Sequence, residues 1–124
     1  MNVVDSSAWL EYFADGPNAK YFAKPIETVA KLLVPSIVIF EVFKRVFTQR
    51  GEDAALQAIA LMQQGQVIDL TTSIAMHAAK LGIEAKLPMA DSIILATARA
   101  SSATLWTQDA DFEAIYGVKF FRRA

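Results

Sequence analysis

Short apolar segments alternate with amphipathic helical segments along this chain, and that alternation restricts the fold more than any other feature. Extended apolar segments are predicted at residues 2–4, 32–34, 67–70, 104–106 and 118–121. Helical spacing of apolar residues fills most of the intervals between them. Strands that are separated by helices pair in parallel, because the chain crosses back before each new strand begins. The sequence therefore predicts an α/β fold with a parallel sheet.

Capping and turn residues set the expected ends of the helices. Helices are predicted from the Asp5–Ser7 cap to the turn at 15–18, over 18–25, from Ser36 to Gly51, over 52–64, from Thr71 or Thr72 to Gly82, from Pro88 through Arg99, and over 110–115. Gly51 is expected to take the left-handed position that follows a helix. No linker or repeat interrupts the pattern, so residues 1–124 are expected to form one domain.

The composition excludes several kinds of site. The chain has no cysteine, which excludes disulfides, thiolate nucleophiles and sulfur-rich zinc sites. His77 is the single histidine and has no second histidine to share a metal, so a core or surface role is expected. Neither a G-x-G-x-x-G nor a phosphate-binding G-x-x-x-x-G-K motif is present.

The sequence also indicates where the protein is located and what its surface can bind. The absence of cysteine and of a basic, apolar leader predicts a cytoplasmic protein. The most apolar run, residues 32–40, contains Pro35 and is much shorter than the roughly 20 residues of a membrane span. Hydrophobic residues make up 54% of the chain, which favours oligomerisation. The net charge of −1 means that any binding of a polyanion must be local.

Acidic residues lie where predicted strands end or where the next helix begins. Asp5 directly follows the first strand, and Asp109 and Asp111 follow the fourth. Glu41 lies early in the helix after the second strand, and Asp91 begins the helix that leads to the fourth. Ligands of open α/β sheets collect at the carboxyl ends of the strands. We therefore expect these carboxylates to face one crevice.

Such a cluster needs a positive charge or a proton. Two carboxylates about 4 Å apart repel by about 4 kcal/mol at an effective dielectric constant near 20. Protonation, a basic partner or a divalent cation can each offset that repulsion. An all-oxygen ligand set favours Mg²⁺ or Mn²⁺, and such ions can activate water for phosphodiester hydrolysis. The pattern predicts a hydrolase without a nucleophilic side chain.

Each acid also has an ordinary structural interpretation. Asp5 can cap a helix, and Asp109 and Asp111 can be turn and cap residues. Glu41 can pair with Lys44 or Arg45 one turn later, and Asp91 suits the positive end of a helix dipole. Their common placement at one sheet edge favours a functional interpretation.

Four motifs in order resemble those of the PIN-domain nucleases, specifically the VapC toxins of toxin–antitoxin pairs. The motifs are V-V-D-S-S-A, V-P-S-I-V-I-F-E-V, L-P-M-A-D-S-I-I-L-A-T-A and L-W-T-Q-D-A-D-F, and together they span nearly the whole chain. The resemblance implies a three-layer α/β/α fold with a central five-stranded parallel sheet. It also implies endonucleolytic cleavage of RNA that depends on Mg²⁺ or Mn²⁺.

The resemblance further assigns roles to individual residues. It places the metal-binding and catalytic quartet on Asp5, Glu41, Asp91 and Asp109. Thr107 matches the active-site hydroxyl of the family, Asp111 is an auxiliary ligand or a cap, and Ser7 orients Asp5 or caps the helix.

Partners are implied in the same way. VapC-like proteins form homodimers and bind a VapB-type antitoxin, whose C-terminal segment lies in an apolar groove and can place a basic side chain in the acidic site. Aromatic residues that can line such a groove, or belong to the core, are Trp9, Tyr12, Phe13, Phe40, Phe43 and Phe47. Basic residues that can contact RNA phosphates, or pair with neighbouring acids, are Lys44, Arg45, Arg99, Arg122 and Arg123.

Two other functions are compatible with acids at strand ends. A receiver domain would also bind Mg²⁺, but it requires adjacent acids after the first strand, whereas Asp5 is followed by serines. Asp69 and Lys119 also do not match the positions of the phosphoacceptor and lysine of receivers. A non-catalytic binding module would use the acids to receive basic residues of a partner.

Overall fold

The computed structural model describes residues 1–124 as a parallel sheet with helices between the strands. The strands are β1 (Asn2–Val4), β2 (Leu32–Pro35), β3 (Gln66–Ile68), β4 (Thr104–Thr107) and β5 (Val118–Phe120). The helices are α1 (Ser6–Phe13), α2 (Ala19–Glu27), α3 (Ser36–Arg50), α4 (Glu52–Met62), α5 (Thr72–Ala85) and α6 (Met89–Ala100). Single 3₁₀ turns cover Val29–Lys31 and Ala110–Phe112. The predicted α/β fold is confirmed.

The five strands pair in the order β3-β2-β1-β4-β5, and all pairings are parallel. The chain therefore builds the sheet outwards from β1 to β3 and then crosses back to place β4 on the other side of β1. Right-handed connections that run in opposite directions put their helices on opposite faces, which gives the three-layer arrangement. Helix α3 packs against α4, and α5 packs against α6.

The core lies on both faces of the central strands. Val3 of β1 is fully buried and lies between Leu33 of β2 and Leu105 of β4. Strands with both faces covered read as continuous apolar runs, which is why these short segments were recognisable in the sequence. Helices add Trp9, Val38 and Ile94 to the same cluster. No helix of the structure combines the length and apolar character needed to cross a membrane.

Several predicted element ends are wrong. Helix α5 continues past Gly82 to Ala85 and ends at Lys86, whose φ of 56° and ψ of 44° lie in the left-handed region. Gly82 lies inside α5 and faces α6; a Cβ there would be 3.5 Å from the Ser92 hydroxyl, an ordinary van der Waals contact, so the packing does not require a glycine at this position. Gly51 has a φ of 89° but a ψ of 175°, so it turns the chain directly into α4 and does not form a left-handed cap.

The remaining differences are shifts of a few residues at element ends. The predicted helix at 110–115 is only one 3₁₀ turn, and α4 ends at Met62. The strand predicted at 67–70 occupies Gln66–Ile68, and the last strand ends at Phe120. Phe121 leaves the sheet, and its ring stacks on those of Tyr21 and Trp106.

Candidate active site

The acidic residues meet where the order of the strands reverses. β1 lies between β2 and β4, so the chain moves away from β1 in both directions, and a crevice opens at the carboxyl ends of β1 and β4. Asp5 is the first residue after β1, and Asp109 follows β4 by two residues. The order differs from the 2-1-3-4-5 order of flavodoxin-like receiver folds, which removes the structural basis of the receiver alternative.

Asp5 is buried and accepts hydrogen bonds on both carboxylate oxygens. Its Oδ1 accepts from the Ala8 backbone N–H at 2.9 Å and from the Ser7 hydroxyl at 2.7 Å, and its Oδ2 accepts from the Thr107 hydroxyl. The Ala8 bond caps α1, so the structural interpretation of Asp5 is confirmed as well. A carboxylate offers about four acceptor positions, which leaves one on Oδ2 for a further ligand.

Thr107 links the two strand ends. Its hydroxyl donates to Asp5 and accepts from the Asp109 backbone N–H at 2.9 Å. The side chain is fully buried, so the hydroxyl fixes the two acids relative to each other and does not reach the crevice. The hydroxyl matched by sequence therefore has a positioning role in this geometry.

Asp91, Asp109 and Asp111 form the tightest acidic cluster. One carboxylate oxygen from each lies within 4.8 Å of the other two. Asp91 comes from the first turn of α6, while Asp109 caps the 3₁₀ turn by accepting from the Asp111 backbone N–H at 2.9 Å. Asp5 lies at the edge of this trio. Asp111, expected only as an auxiliary residue, is thus a full member of the cluster.

Burial and mutual repulsion disfavour the charged forms of these acids. Burial raises the pKa of Asp5 to about 6, even though three hydrogen bonds act in the opposite direction. Burial, followed by the charges of Asp109, Asp5 and Asp111, raises the pKa of Asp91 to about 7. Such shifts identify a site at which a positive charge would be stabilised.

Glu41 is not a member of this trio and contacts the start of α1 instead. Its Oε1 accepts a hydrogen bond of 2.6 Å from Ser6, the residue after Asp5. It makes no ion pair with Lys44 or Arg45, so that alternative for Glu41 is wrong. The bond to Ser6 ties α3 to the start of α1 and keeps the carboxylate near Asp5.

The donor set fits a hard divalent cation. Three carboxylate oxygens converge and no basic side chain forms a salt bridge with them. Because the ligands are all oxygen, the cluster suits Mg²⁺ or Mn²⁺ better than Zn²⁺. The residues that would hold the ion are Asp91, Asp109 and Asp111, with the free position of Asp5 next to them.

The family model of the PIN domain matches residues 3–118, nearly the whole chain. This chain belongs to the PIN-domain family. No curated protein matches the sequence.

Solved structures share the PIN fold of this chain. A chain of a toxin–antitoxin complex from Klebsiella pneumoniae superposes with a TM-score of 0.81 at 24% identity, covering 95% of each chain. VapC20 of Mycobacterium tuberculosis, a sarcin–ricin loop cleaving toxin, gives 0.78 at 18% identity and covers 96% of this chain and 98% of its own. FitAcB of Neisseria gonorrhoeae gives 0.76 at 19% identity, covering 98% and 97%. At these identities the likeness establishes the fold.

Next to the acidic site of this PIN domain, a groove of about 970 Å³ runs between α1, α3 and α4. Its walls combine apolar side chains with acidic, basic and amide ones, among them Leu10, Glu11, Phe13, Phe40, Glu41, Lys44, Arg45, Gln108 and Arg123. Of the six candidate aromatics, Phe13 and Phe40 line the groove. Trp9 is core, Tyr12 bonds to Glu27, and Phe43 packs against Phe47.

Some of the basic residues line the groove, and the others lie outside it. Lys44, Arg45 and Arg123 line the groove, and Lys44 and Arg45 follow Glu41 on α3. Arg122 forms a salt bridge with Glu113 at 3.2 Å. Arg99 lies near the end of α6 opposite to Asp91 and donates to the Tyr116 carbonyl at 3.4 Å. The structure therefore does not bring Arg99 to the acidic site.

Four residues near the site were not predicted as site residues from the sequence: Ser6, Glu11, Asn18 and Gln108. Ser6 had a usable signal, because it directly follows Asp5 at the start of a helix. Gln108 lies between Thr107 and Asp109, and strand alternation points its side chain away from the acids. Glu11 and Asn18 meet Gln108 only through the folding of the chain.

Proposed function

We propose that this chain is a VapC-type toxin, a Mg²⁺- or Mn²⁺-dependent endoribonuclease that a VapB-type antitoxin inhibits. The convergence of Asp91, Asp109 and Asp111 beside Asp5, at the switch point of a PIN fold, carries this proposal. The biological role is supported by two of the structurally similar proteins, one a chain of a toxin–antitoxin complex and the other a toxin.

The residues of the site have different roles in the proposed phosphodiester hydrolysis. Asp91, Asp109, Asp111 and Asp5 would hold a divalent ion, which would supply an activated water and neutralise charge on the phosphate. Ser7 and Thr107 keep Asp5 in one orientation, and Ser6 does the same for Glu41. The free oxygen of Glu41 accepts the proton of the attacking water, and Lys44 and Arg45 contact the RNA backbone.

The purified protein is expected to cleave single-stranded and stem-loop RNA in the presence of Mg²⁺ or Mn²⁺. Chelation of the metal should stop cleavage, and added Mn²⁺ should restore it, because the clustered carboxylates alone offer no activated water. Gel analysis of end-labelled RNA measures both effects. Cleavage that is insensitive to chelation would contradict the metal mechanism, and absence of cleavage with either ion would favour the non-catalytic binding module.

The groove suits the C-terminal segment of an antitoxin. Phe40 is 60% exposed on its wall, and Leu10 and Phe13 extend the apolar surface. The groove also lies next to Glu41, so a segment seated in it can place a basic side chain among the acids. Helix-in-groove recognition of this kind depends on a few apolar contacts.

Phe40→Asp is expected to weaken binding of the antitoxin at least tenfold, since it places a charge on an apolar contact. The antitoxin would be the small protein encoded next to this one, and calorimetry measures its affinity. Tyr116→Asp is the matched control, because Tyr116 is 92% exposed at a distance from the groove. Equal affinities of the two variants would place the antitoxin elsewhere.

We also propose that the protein forms a homodimer. Three apolar side chains are exposed on α5 and at the start of α6, Met76, Ile83 and Met89, and a second copy of the chain would cover them.

A further inference from the structure

Gln108 is a buried polar residue to which the proposed function assigns no role. It is 3% exposed and lies between Thr107 and Asp109, directly after β4. Its neighbours on both sides point towards the acidic site, whereas successive side chains of extended backbone alternate in direction. A buried amide needs hydrogen-bond partners, and those of Gln108 lie on the side facing α1 and α2.

Three side chains form a connected network there, which we term the amide anchor: Glu11, Asn18 and Gln108. Gln108 Oε1 accepts from Asn18 Nδ2 at 3.0 Å, and Gln108 Nε2 donates to Glu11 Oε1 and to the Ser7 carbonyl, both at 3.4 Å. The Asn18 backbone N–H donates to Glu11 Oε2 at 2.8 Å. Asn18 is 6% exposed and also donates from Nδ2 to the Arg122 carbonyl at 3.0 Å. The anchor thus joins β4, α1, the start of α2 and the C-terminal segment.

The backbone after β4 is held on one side by the Thr107 hydroxyl, which accepts from the Asp109 N–H at 2.9 Å, and by the buried Phe112 side chain. The last backbone hydrogen bonds between β4 and its neighbours run from the Asp5 N–H to the Trp106 carbonyl and from the Phe121 N–H to the Thr107 carbonyl. The Gln108 N–H has only a long contact of 3.5 Å to the Ser7 hydroxyl. The side chain of Gln108 supplies the hydrogen bonds from this segment to Ser7 and Glu11 of α1, immediately before Asp109 and Asp111.

Gly16 makes room for the anchor. A Cβ at this position would lie 2.5 Å from the Glu11 carboxylate carbon, closer than any real contact. The Glu11 carboxylate accepts from the Asn18 backbone N–H and from the Gln108 side-chain amide. An alanine at Gly16 would therefore move this carboxylate away from Asn18 and Gln108 without altering either residue.

We infer that the amide anchor is a positioning device that holds the segment bearing Asp109 and Asp111, so that both carboxylates meet Asp91. Its effect on metal binding rests on the proposed function, whereas its effect on the segment does not. The anchor touches none of the reacting atoms and acts only through the two acids. Outer residues that orient metal ligands in this way commonly change metal affinity or activity by about 10- to 100-fold.

Gln108→Met tests the inference, because it keeps the length of the side chain and removes its hydrogen bonds. In the metal-free protein, hydrogen exchange at the Asp109 and Asp111 amides is expected to accelerate about tenfold. The dissociation constant for Mn²⁺, measured by electron paramagnetic resonance, is expected to rise about tenfold. RNA cleavage should fall at limiting Mn²⁺ and recover at high Mn²⁺. Gln64→Met, at an exposed turn position, is the matched control and should change none of these values.

Gly16→Ala provides an independent variant if Gln108→Met does not fold. The same changes are expected, with smaller size, because the displaced Glu11 is flexible. Unchanged amide exchange and unchanged Mn²⁺ affinity in a folded variant would overturn the inference. If the unaltered protein neither binds Mn²⁺ nor cleaves RNA, the proposed function fails, and the amide exchange still decides whether the anchor holds the segment.

Discussion

Asp91→Asn is expected to lower metal-dependent RNA cleavage by about 10³-fold. Asp91 contributes one of the three converging oxygens, and the substitution removes a negative charge from the proposed ligand set. A loss of about 4 kcal/mol of transition-state stabilisation corresponds to that factor, since each 1.36 kcal/mol changes a rate tenfold. Single-turnover cleavage at saturating enzyme, with Mn²⁺ titrated from low to high concentration, measures the effect.

Unfolding would not explain this loss. Asp91 is repelled by Asp109, Asp5 and Asp111 in the metal-free protein, so a neutral amide at this position relieves repulsion. The metal-free variant is expected to be at least as stable as the original protein. Asp69→Asn is the matched control, because Asp69 is an exposed acid that directly follows β3 and lies outside the cluster. Cleavage by Asp91→Asn at the rate of the control would remove the assignment of the site.

The metal-free protein is expected to lose stability as the pH rises from about 4 to about 7. The pKa of Asp5 is raised from 3.8 to about 6 and that of Asp91 to about 7, so the folded state binds these protons more tightly than the unfolded state does. The resulting stabilisation is complete below the unfolded pKa near 4 and is lost as the pH passes through the raised values. For buried Asp5 the change is about 3 kcal/mol, at 1.36 kcal/mol for each pKa unit.

Asp91 adds a smaller amount, because its carboxyl is half exposed and solvent screens the repulsion. Urea unfolding at pH 4.5 and at pH 7.5, in the presence of a chelator, measures the combined change. In Asp91→Asn the dependence on pH should be shallower. Mn²⁺ at about 100 times its dissociation constant should restore about 2.7 kcal/mol at the higher pH. A stability that rises with pH in the metal-free protein, with no difference between the variant and the original, would contradict this prediction.

The alternation of elements and the positions of the acids could be read from the sequence with good accuracy. The apolar strand segments were recognisable because the central residues of β1, β2 and β4, such as Val3, Leu33 and Leu105, are buried and apolar. Asp5 and Asp109 were recognisable because each follows such a segment within two residues. The apolar segments and the acids that follow them are patterns of neighbouring residues, so both can be recognised without knowledge of the fold.

Other features depend on contacts between distant residues. Gly82 resembles a helix end in the sequence, yet α5 continues through it to Ala85, where it packs against α6. Leu56 resembles a core residue, but α4 turns Ala55, Ala58 and Met62 towards the core and leaves Leu56 53% exposed. Arg99 shares a helix with Asp91, but the length of α6 carries it to the other end of the sheet.

The sequence by itself determined the parallel α/β class and the set of acids at the strand ends, because hydrophobic period and strand position are properties of neighbouring residues. Only the tertiary structure decided which carboxylates meet. It brought Asp111 into the cluster with Asp91, joined Glu41 to Ser6 next to Asp5, and placed Gln108 against Asn18 across 90 residues of chain. Strand order and loop attachment set those distances, and both arise from packing between segments that are remote in sequence.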